Sequence, residues 1–515
     1  MKRWLTDIFD RSGLLAVASG ILVALSFPGG NLSFLAWVAL IPLLTALEGV
    51  SLSVAFRIGF TCGVTAYCGI LYWINNVITD YGHLPWAVSI VLYLALASWL
   101  ALFYGLSTLT ARLGEQAGIK SAFALPAAWV AGDFVRSWAL TGIPWAMLGH
   151  SQYRVLPVIQ IADLFGVYGI TLLIVLCNVV LYRALRAVTG AMVPYPVKSA
   201  VIFLALFSGV LWYGFTRLNE SQSSGTPLRV AVIQGNIPQN VKWSPQFQDA
   251  TLDIYERLTR EAARSGIDLA VWPESAVPFF LQDDGVRAAR IRTIAADTGA
   301  SLIVGSPAHE LRGGERVFLN SAFLITPGGG IAGRSDKLHL VPFGEYVPLK
   351  RLLPFVSKLV AGIGDFAPGE RAVTLPVGTT MVGTMICAEA IFPETGRAYG
   401  AGGARVLANI TNDAWFGRSS APHQHLAISV FRAVETRTPM VRAANTGVSA
   451  IIDRNGHISS MTGIFTEGFR VGDVRPGKGA SPYLAAGDAF AWLCLVVTAA
   501  VILRAYGRHR DAGSA

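Results

Sequence analysis

The sequence predicts a polytopic α-helical membrane domain of about eight transmembrane helices joined to an α/β domain. Of its 515 residues, 53% are hydrophobic and only 14% are charged, which is too apolar for an ordinary soluble protein of this size. Long apolar segments fill residues 1–217 and return near the C-terminus, whereas residues 218–480 have the composition of a soluble domain. We therefore expect a transmembrane domain at 1–217, a folded domain at 218–480, and a transmembrane helix with its tail at 481–515.

The predicted spans are the apolar segments that are long enough to cross a membrane. A hydrocarbon core of about 30 Å requires roughly 20 helical residues. Segments of this kind lie at 13–27, 32–48, 55–74, 85–108, 121–138, 158–182, 198–216 and 484–504. A cleavable signal peptide is the alternative for the first segment; however, no small-x-small site follows it and a second span begins at once, so we interpret it as retained.

The distribution of positive charge predicts the orientation of these spans. The net charge of +9 could indicate nucleic-acid binding, but in a membrane protein it more often reflects cations in cytoplasmic loops. With a cytoplasmic N-terminus, the short outside loops carry only Arg154. The inside segments then carry Lys2, Arg3, Arg11, Arg57, Arg112, Lys120, Arg183, Arg186, Lys198, Arg504, Arg508 and Arg510. Both termini are therefore expected in the cytoplasm and the domain at 218–480 outside it.

Three charged residues, Asp133, Arg136 and Asp163, fall within or beside predicted spans. Such residues usually face protein or a water-filled cavity. A role in substrate binding and a purely internal ion pair, such as Asp133 with Arg136, both remain open.

Residues 218–480 alternate short β-type runs with helical stretches. The runs lie at 228–234, 268–273, 301–306, 321–326, 382–387, 404–410 and 448–453. The helical stretches lie at 247–265, 284–299, 391–401 and 422–436. Strands that alternate with helices predict a layered α/β sandwich.

The segment from Val347 to Gly369 fits neither element type. It carries apolar residues beside cations and is interrupted by prolines and glycines. Because loops of this length are uncommon in compact domains and are often functional, we expect a lid that dips into the membrane surface. A surface loop packed on its own domain is the alternative.

Cys387 is the candidate nucleophile. The other cysteines, Cys62, Cys68, Cys177 and Cys494, lie in apolar spans, where a thiol usually acts as a small hydrophobic group. Cys387 ends an apolar strand immediately before a helical stretch, and the positive end of a helix is expected to lower the pKa of a thiol. A buried structural cysteine remains the alternative.

Glu274 and Lys337 are the residues that complete a possible active site. Glu274 follows an apolar strand in VWPES (271–275), and strand ends are where α/β folds place catalytic groups. Lys337 leads into a charge-poor stretch that also contains Glu345. A glutamate, a lysine and a cysteine together supply a base, a cation for a developing oxyanion, and a nucleophile that can be acylated.

Several motifs around these residues resemble the carbon–nitrogen hydrolase (nitrilase) superfamily, which has a Glu-Lys-Cys triad in an αββα sandwich. The eight-span frame around that domain resembles the apolipoprotein N-acyltransferase family of bacteria. The resemblance covers nearly the whole chain. Its motifs are QGNIPQNVKW (234–243), VWPES (271–275), DKLHLVPFGEYVPL (336–349), ICAEAIFPE (386–394) and TNDAWFG (411–417).

The resemblance implies a role for each matching residue. Glu274 would be the general base, Lys337 the transition-state stabiliser and Cys387 the nucleophile. Supporting roles fall to Glu345, to the backbone N–H of Ala388 as an oxyanion donor, and to Glu389. For Glu389, an ordinary acidic residue at a helix start is the alternative. Aromatic residues that would line or gate the acyl pocket, with core packing as the alternative, are Trp243, Trp415 and Phe416. An aromatic residue is expected after the nucleophile in many relatives, so the small Ala388 offers no comparable side-chain contact.

The histidines suggest other chemistry only weakly. His339 could pair with a cysteine, but Glu274 already fills the role of base. His423 and His425 have no further clustered ligands that would complete a zinc site. We therefore expect no metal and no cofactor.

The resemblance implies a monomeric, multi-pass enzyme of the bacterial inner membrane with a periplasmic catalytic domain. It would move an acyl chain from the sn-1 position of a phospholipid, through a thioester on cysteine, to the α-amino group of the N-terminal diacylglyceryl-cysteine of an apolipoprotein. The alternatives are a membrane-anchored nitrilase-like amidohydrolase and a transporter or structural protein. The spans lack matched Gly/Pro-broken helices, which does not favour a transporter.

Overall fold

The computed structural model describes residues 10–190, 195–220, 226–283, 285–347 and 365–513. The chain forms two compact units. The first comprises Met1–Thr79, Leu84–Asn219 and Ala486–Ala515, and we call it the helical unit. The second comprises Asp80–His83 and Glu220–Ala485, and we call it the α/β unit.

The helical unit is built from apolar helices. Its main helices are Arg11–Leu25, Ile41–Ala46, Leu52–Ile70, Trp86–Gln116, Ser121–Arg136, Ala162–Val188, Val197–Asn219 and Ala489–Gly513. Within the described residues, five are long and apolar enough to cross a membrane: Leu52–Ile70, Trp86–Gln116, Ala162–Val188, Val197–Asn219 and Ala489–Arg508. The predicted span at 32–48 is instead a 3-10 turn, Ser33–Trp37, and a short helix, Ile41–Ala46. The spans predicted at 13–27 and 121–138 are helices of 15 and 16 residues.

Glycines allow close packing between helices of this unit. A Cβ at Gly59 would lie 2.7 Å from the carbonyl oxygen of Tyr104, and one at Gly63 would lie 2.8 Å from the Cα of Ala101. Both contacts are closer than a Cβ tolerates, so helix Leu52–Ile70 reaches its neighbour only because these positions lack side chains. Small residues at helix interfaces are typical of membrane proteins.

The charged residues of the predicted spans are paired inside the helical unit. Asp133 accepts a hydrogen bond from Arg136 Nε at 2.9 Å, and Arg136 also donates to the carbonyls of Ile143 and Trp145, both at 2.8 Å. Asp163 accepts from Tyr213 Oη at 2.8 Å and from Arg217 Nη2 at 2.7 Å. The internal pair that the sequence offered as one alternative for Asp133 and Arg136 is therefore present.

The α/β unit contains two six-stranded sheets within the described residues. The first has the order β12-β1-β2-β3-β4-β5 and the second β11-β10-β9-β8-β7-β6. The strands are β1 Leu228–Gln234, β2 Leu269–Val271, β3 Ser301–Arg312, β4 Glu315–Ile325, β5 Ile331–Asp336, β6 Thr374–Val377, β7 Thr380–Ile386, β8 Val406–Thr411, β9 Met440–Ala444, β10 Ala450–Ile452, β11 Ile458–Met461 and β12 Gly468–Val474. Its longer helices are Gln248–Ala263, Gly285–Thr298, Pro393–Ala401 and Ala421–Thr436.

The two faces of β1 belong to two different cores. Val230 and Val232 lie in a buried cluster to which both sheets contribute, whereas Ala231 and Ile233 pack in a second cluster with residues of helices Gln248–Ala263 and Gly285–Thr298. Because successive strand residues point to opposite faces, one sheet separates these cores. This gives the layered αββα sandwich that the sequence predicts.

The strands that the sequence pattern missed are polar, edge or charged segments. β11 alternates between half-buried and exposed residues, and β6 contains Pro376 at the edge of its sheet. β9 is fully buried although it contains Arg442. The alternation of apolar and polar residues does not identify such strands. Their side chains are stabilised by partners that are distant in sequence.

Candidate active site

The three proposed catalytic residues each follow a strand of the α/β unit. Glu274 comes after β2, Lys337 directly after β5, and Cys387 directly after β7. β2 and β5 belong to one sheet and β7 to the other. The sandwich therefore brings together residues that are widely separated in the sequence.

Glu274, Lys337 and Glu345 form one buried, hydrogen-bonded cluster. Lys337 Nζ lies 3.4 Å from Glu274 Oε1, and it lies 3.0 Å from Glu345 Oε1 and 2.9 Å from Glu345 Oε2. Burial alone would lower the pKa of Lys337, but Glu345 and then Glu274 raise it above its usual value. The lysine is therefore a fixed cation between two carboxylates.

The second oxygen of Glu274 is held by backbone. Glu274 Oε2 accepts a hydrogen bond from the N–H of Asn412 at 3.1 Å. The turn that carries Glu274 is tight, since Ser275 has a φ of 47°. A Cβ at Gly305 would lie 2.2 Å from the carbonyl oxygen of Pro273, so β3 approaches this turn only because position 305 is glycine.

Cys387 is the first residue of a 3-10 turn, Cys387–Ile391, that precedes helix Pro393–Ala401. Its φ of 54° is in the left-handed region, which is uncommon for a residue with a side chain and often marks a functional site. Its carbonyl accepts from Asn409 Nδ2 at 3.3 Å, and the neighbouring Thr411 side chain slightly opposes the rise in the pKa of its thiol.

The expectation that the helix end lowers the pKa of Cys387 is wrong for this structure. Burial, followed by the nearby Glu274 carboxylate, raises its pKa to about 12, and the opposing influence of Lys337 is smaller. The N-terminal end of a short 3-10 turn favours the thiolate. This influence is outweighed by desolvation and by repulsion between the thiolate and the Glu274 carboxylate. The resting group is therefore a thiol, and it needs a base to become a nucleophile.

Glu389 ties the nucleophile turn to the segment after Lys337. This fully buried carboxylate accepts hydrogen bonds from the N–H groups of Ile386 and Leu338, both at 2.6 Å, and of His339 at 3.2 Å. Burial raises its pKa to about 7, and the backbone hydrogen bond from Ile386 is the largest opposing influence. Glu389 thus does more than an ordinary acidic residue at a helix start. Ala388 lies in the first turn after Cys387, where backbone N–H groups have no intrahelical acceptor.

Two further residues contact Glu274 and were not singled out in the sequence. Asn320, in β4, donates from Nδ2 to Glu274 Oε1 at 2.7 Å and to Glu345 Oε1 at 2.8 Å. Lys242 is buried and donates to the carbonyl of Glu274 at 2.9 Å, and burial lowers its pKa to about 8. Lys242 lies inside the motif QGNIPQNVKW. The motif therefore marks this segment as part of the site, although it does not single out Lys242.

A buried cluster of Asp413, His425 and Arg442 lies behind the nucleophile. Asp413 Oδ1 lies 3.0 Å from His425 Nδ1 and accepts from Thr411 Oγ1 at 3.0 Å, and Asp413 Oδ2 accepts from Arg442 Nη2 at 2.7 Å. Burial opposes ionisation of Asp413, but Arg442 and then His425 lower its pKa to about 2. Asp413 and Thr411 both influence the pKa of Cys387, so the cluster is electrostatically coupled to that thiol. The sequence indicated no role for Asp413, and His425 was considered only as a metal ligand.

The three aromatic candidates all lie in turns and are partly buried. Trp243 is in the turn after Lys242, and Trp415 and Phe416 are in the 3-10 turn Asp413–Phe416. The ring of Trp415 meets that of Tyr81 edge-on, with centroids 4.8 Å apart, and the Tyr81 hydroxyl donates to the carbonyl of Ala414 at 3.1 Å. Tyr81 belongs to the short Asp80–His83 segment of this unit.

The histidines have different surroundings. The ring of His339 packs on Phe392 with centroids 3.7 Å apart. His425 is buried with Asp413, whereas His423 is only partly buried in the same helix. No group of three or more His, Cys, Asp or Glu residues in the described ranges could hold a metal ion.

The predicted lid at Val347 to Gly369 lies largely outside the described residues, since positions 348–364 are not among them. Its C-terminal end meets the site: the N–H of Gly369 donates to the carbonyl of Lys337 at 2.7 Å, and that of Phe366 donates to the carbonyl of Glu345 at 3.1 Å. The C-terminal end of this segment is therefore anchored beside the cluster of Lys337 and Glu345.

Two successive parts of the chain match two known protein families. Residues 19–180 match the apolipoprotein N-acyltransferase N-terminal domain, and residues 229–481 match the carbon-nitrogen hydrolase family. Among solved structures, an amidase of the nitrilase superfamily from Nesterenkonia AN1 is similar at 22% identity and a TM-score of 0.38, covering 53% of this chain and 98% of the amidase.

Full-length relatives share both parts. The chain is 52% identical to an apolipoprotein N-acyltransferase of Geobacter metallireducens over 97% of its length and 96% of the relative's. It is 33% identical to an apolipoprotein N-acyltransferase of Methylococcus capsulatus over 96% of each chain. Together with the apolar helices, these relatives identify a multi-pass membrane acyltransferase. The chain belongs to the apolipoprotein N-acyltransferase family.

Proposed function

We propose that this chain transfers an acyl group from the sn-1 position of a phospholipid to the α-amino group of an N-terminal diacylglyceryl-cysteine, through a thioester on Cys387. The observation that supports this most is that a partly buried, neutral thiol lies in the electrostatic field of a buried cluster that contains an oriented carboxylate and a charged lysine. Such a set provides the nucleophile, the base and the electrostatic stabilisation that acyl transfer requires.

In the first half-reaction, Glu274 takes the proton of the Cys387 thiol, and the sulfur attacks the ester carbonyl carbon. Lys337 and the N–H of Ala388 stabilise the oxyanion of the tetrahedral intermediate. The ester C–O bond then breaks, and the departing lysophospholipid alkoxide receives the proton from Glu274. A thioester remains on Cys387.

In the second half-reaction, the neutral α-amino group attacks the thioester carbon and passes a proton to Glu274. The C–S bond breaks, an amide forms, and the sulfur recovers its proton. Because the donor product leaves before the acceptor reacts, ping-pong kinetics are expected.

We assign different tasks to the two carboxylates near Lys337. Both oxygens of Glu345 are engaged, by Lys337 and Asn320 on one side and by Lys337 and the N–H of Val341 on the other. Because Lys337 contacts both oxygens of Glu345 but only one oxygen of Glu274, we assign Glu345 the positioning of Lys337. We assign the role of base to Glu274, whose carboxylate raises the pKa of the thiol.

The cellular setting follows from the same proposal. Both substrates are lipids. A site held at the bilayer surface can receive them by lateral diffusion in a fixed orientation, so neither lipid has to be extracted from the membrane. We place the chain in the bacterial inner membrane as a monomer, with the α/β unit in the periplasm and both termini in the cytoplasm.

The test is intact-protein mass spectrometry of the purified full chain incubated with phosphatidylethanolamine. The wild type and Cys494→Ala, a matched change of a thiol in a membrane helix, should gain one acyl chain, and Cys387→Ala should not. A diacylglyceryl lipopeptide with a free amine should remove the adduct and itself become acylated.

Two other outcomes would contradict the proposal. Release of the adduct only as free fatty acid, unaffected by the lipopeptide, would favour a membrane-anchored amidohydrolase-like enzyme, the alternative that the carbon-nitrogen hydrolase match supports. Full lipopeptide acylation by Cys387→Ala would exclude the thioester.

A further inference from the structure

A cavity of about 390 Å³ lies among helix ends within the helical unit. Residues from helices Ile41–Ala46, Trp86–Gln116, Ser121–Arg136 and Ala162–Val188, and from the adjoining turns, line it. This volume is within the range of roughly 300 to 1,000 Å³ that is usual for small-ligand sites. The cavity is distinct from the catalytic cluster, all of whose residues belong to the α/β unit.

The lining of this cavity combines charge with apolar surface. Four cations and two carboxylates line it, a net charge of +2. The two carboxylates are already paired: Arg112 Nη1 lies 2.7 Å from Glu115 Oε2, and Arg186 Nε lies 2.7 Å from Glu48 Oε1. The surplus positive charge therefore comes from the remaining cations, Lys120 and Arg183.

Lys120 and Arg183 have no ion-pair or hydrogen-bond partner for their side chains among the residues that the structure describes. Arg183 is half-buried, whereas Lys120 is exposed. Both side chains are thus available to an anion in the cavity.

A helix N-terminus adds to this positive field. Ser121 lines the cavity and is the first residue of helix Ser121–Arg136. Lys120, the N-cap residue, makes no side-chain capping hydrogen bond, and the first turn contains no acidic residue. The first backbone N–H groups of a helix lack intrahelical acceptors and favour negative charge, especially phosphate.

We propose that this cavity binds the phosphate of an anionic phospholipid headgroup. The phosphate would lie against Lys120, Arg183 and the start of helix Ser121–Arg136, with the glycerol part against Leu44 and Leu125. Every lining cation lies in a segment whose charge predicts a cytoplasmic location, and basic pockets between membrane helices on that side typically bind lipid headgroups. This lipid would be a resident ligand and not the acyl donor.

Native mass spectrometry of the full chain, released from detergent micelles containing phosphatidylglycerol, tests the proposal. The wild type should retain one phosphatidylglycerol, and Lys120→Gln combined with Arg183→Gln should reduce the retained fraction by about 10-fold or more. Arg57→Gln removes a cation from a predicted cytoplasmic segment outside the cavity and should leave retention unchanged. Thermal unfolding of both variants in lipid-free detergent shows whether they remain folded.

A second arm distinguishes a lipid headgroup from free phosphate. Inorganic phosphate and glycerol 3-phosphate at millimolar concentration should not displace the bound lipid. Displacement by either compound would show a soluble phosphate site and would overturn the lipid assignment. Equal retention of phosphatidylglycerol by the folded double variant and the wild type would overturn the site itself.

Discussion

The buried charges of the helical unit are arranged differently from those of the Lys337 cluster in the α/β unit. In the helical unit, Asp133 pairs with Arg136 one helical turn away, and Asp163 with Arg217, so each acid meets a cation. In the α/β unit, one lysine, Lys337, meets two carboxylates. A closed pair carries no surplus charge, whereas a cluster with surplus negative charge beside a thiol can accept a proton.

The largest expected effect comes from removing the shared cation. Lys337→Met would leave Glu274 and Glu345 facing each other without a counter-charge and would remove the stabilisation of the oxyanion. Lipopeptide acylation should fall by at least about 1,000-fold, since single oxyanion donors contribute about 100- to 1,000-fold. The measurement is acylation of a fluorescent lipopeptide, with the exposed Lys478→Met as control; a loss of less than about 10-fold would show that the cluster is structural.

Glu274→Gln should lower the rate of acylation and, at the same time, lower the pKa of the Cys387 thiol. Loss of the base should reduce acylation by about 100- to 10,000-fold. The same change removes the carboxylate that raises the pKa of Cys387, so the pH midpoint for alkylation of that thiol by iodoacetamide should move down. Peptide mapping of the labelled cysteine follows this midpoint, and an upward shift would contradict the placement of Glu274 beside the thiol.

Asp413→Asn tests the buried cluster of Asp413, His425 and Arg442 in the α/β unit, in which the acid is paired with a cation. Breaking the buried contact with Arg442 should cost about 3 to 5 kcal/mol of stability. The pKa of Asp413 is lowered from 3.8 to about 2, so its contribution is present above pH 3.8 and is lost as the pH falls towards 2. The difference in Tm between wild type and variant should therefore narrow over that interval, and a constant difference would argue against an ionised Asp413.

The smallest effect is expected where a closed pair is replaced as a unit. Asp133→Leu combined with Arg136→Met exchanges the pair for apolar side chains and leaves no unpaired charge, so its cost to stability is limited to the two hydrogen bonds that Arg136 donates to the carbonyls of Ile143 and Trp145. Acylation should stay within about 3-fold of wild type, whereas Asp133→Leu alone should destabilise the chain by leaving Arg136 without its counter-charge. A large loss of acylation in a stable double variant would give this pair a role in substrate handling.

The positions of the strands show what could be predicted from the sequence. β1 was predicted at its observed bounds because its residues alternate between two apolar cores. β9 was missed because Arg442 interrupts its apolar pattern, and the buried partners that accommodate this arginine, among them Asp413 and Asn409, are distant in sequence. Likewise, Asn320 was not recognisable as a ligand of Glu274, since nothing local in β4 indicates what its side chain meets.

By itself, the sequence determined the apolar helices, the α/β layering and the candidates Glu274, Lys337 and Cys387, because local hydrophobicity, period and motif carry that information. Only the tertiary structure decided how the charges interact. The raised pKa of Cys387, the shared hydrogen bonds of Asn320, and the Asp413 network behind the thiol arise from side chains that come from different strands. Desolvation and Coulomb interactions depend on distances in space, and these distances cannot be read from separations along the chain.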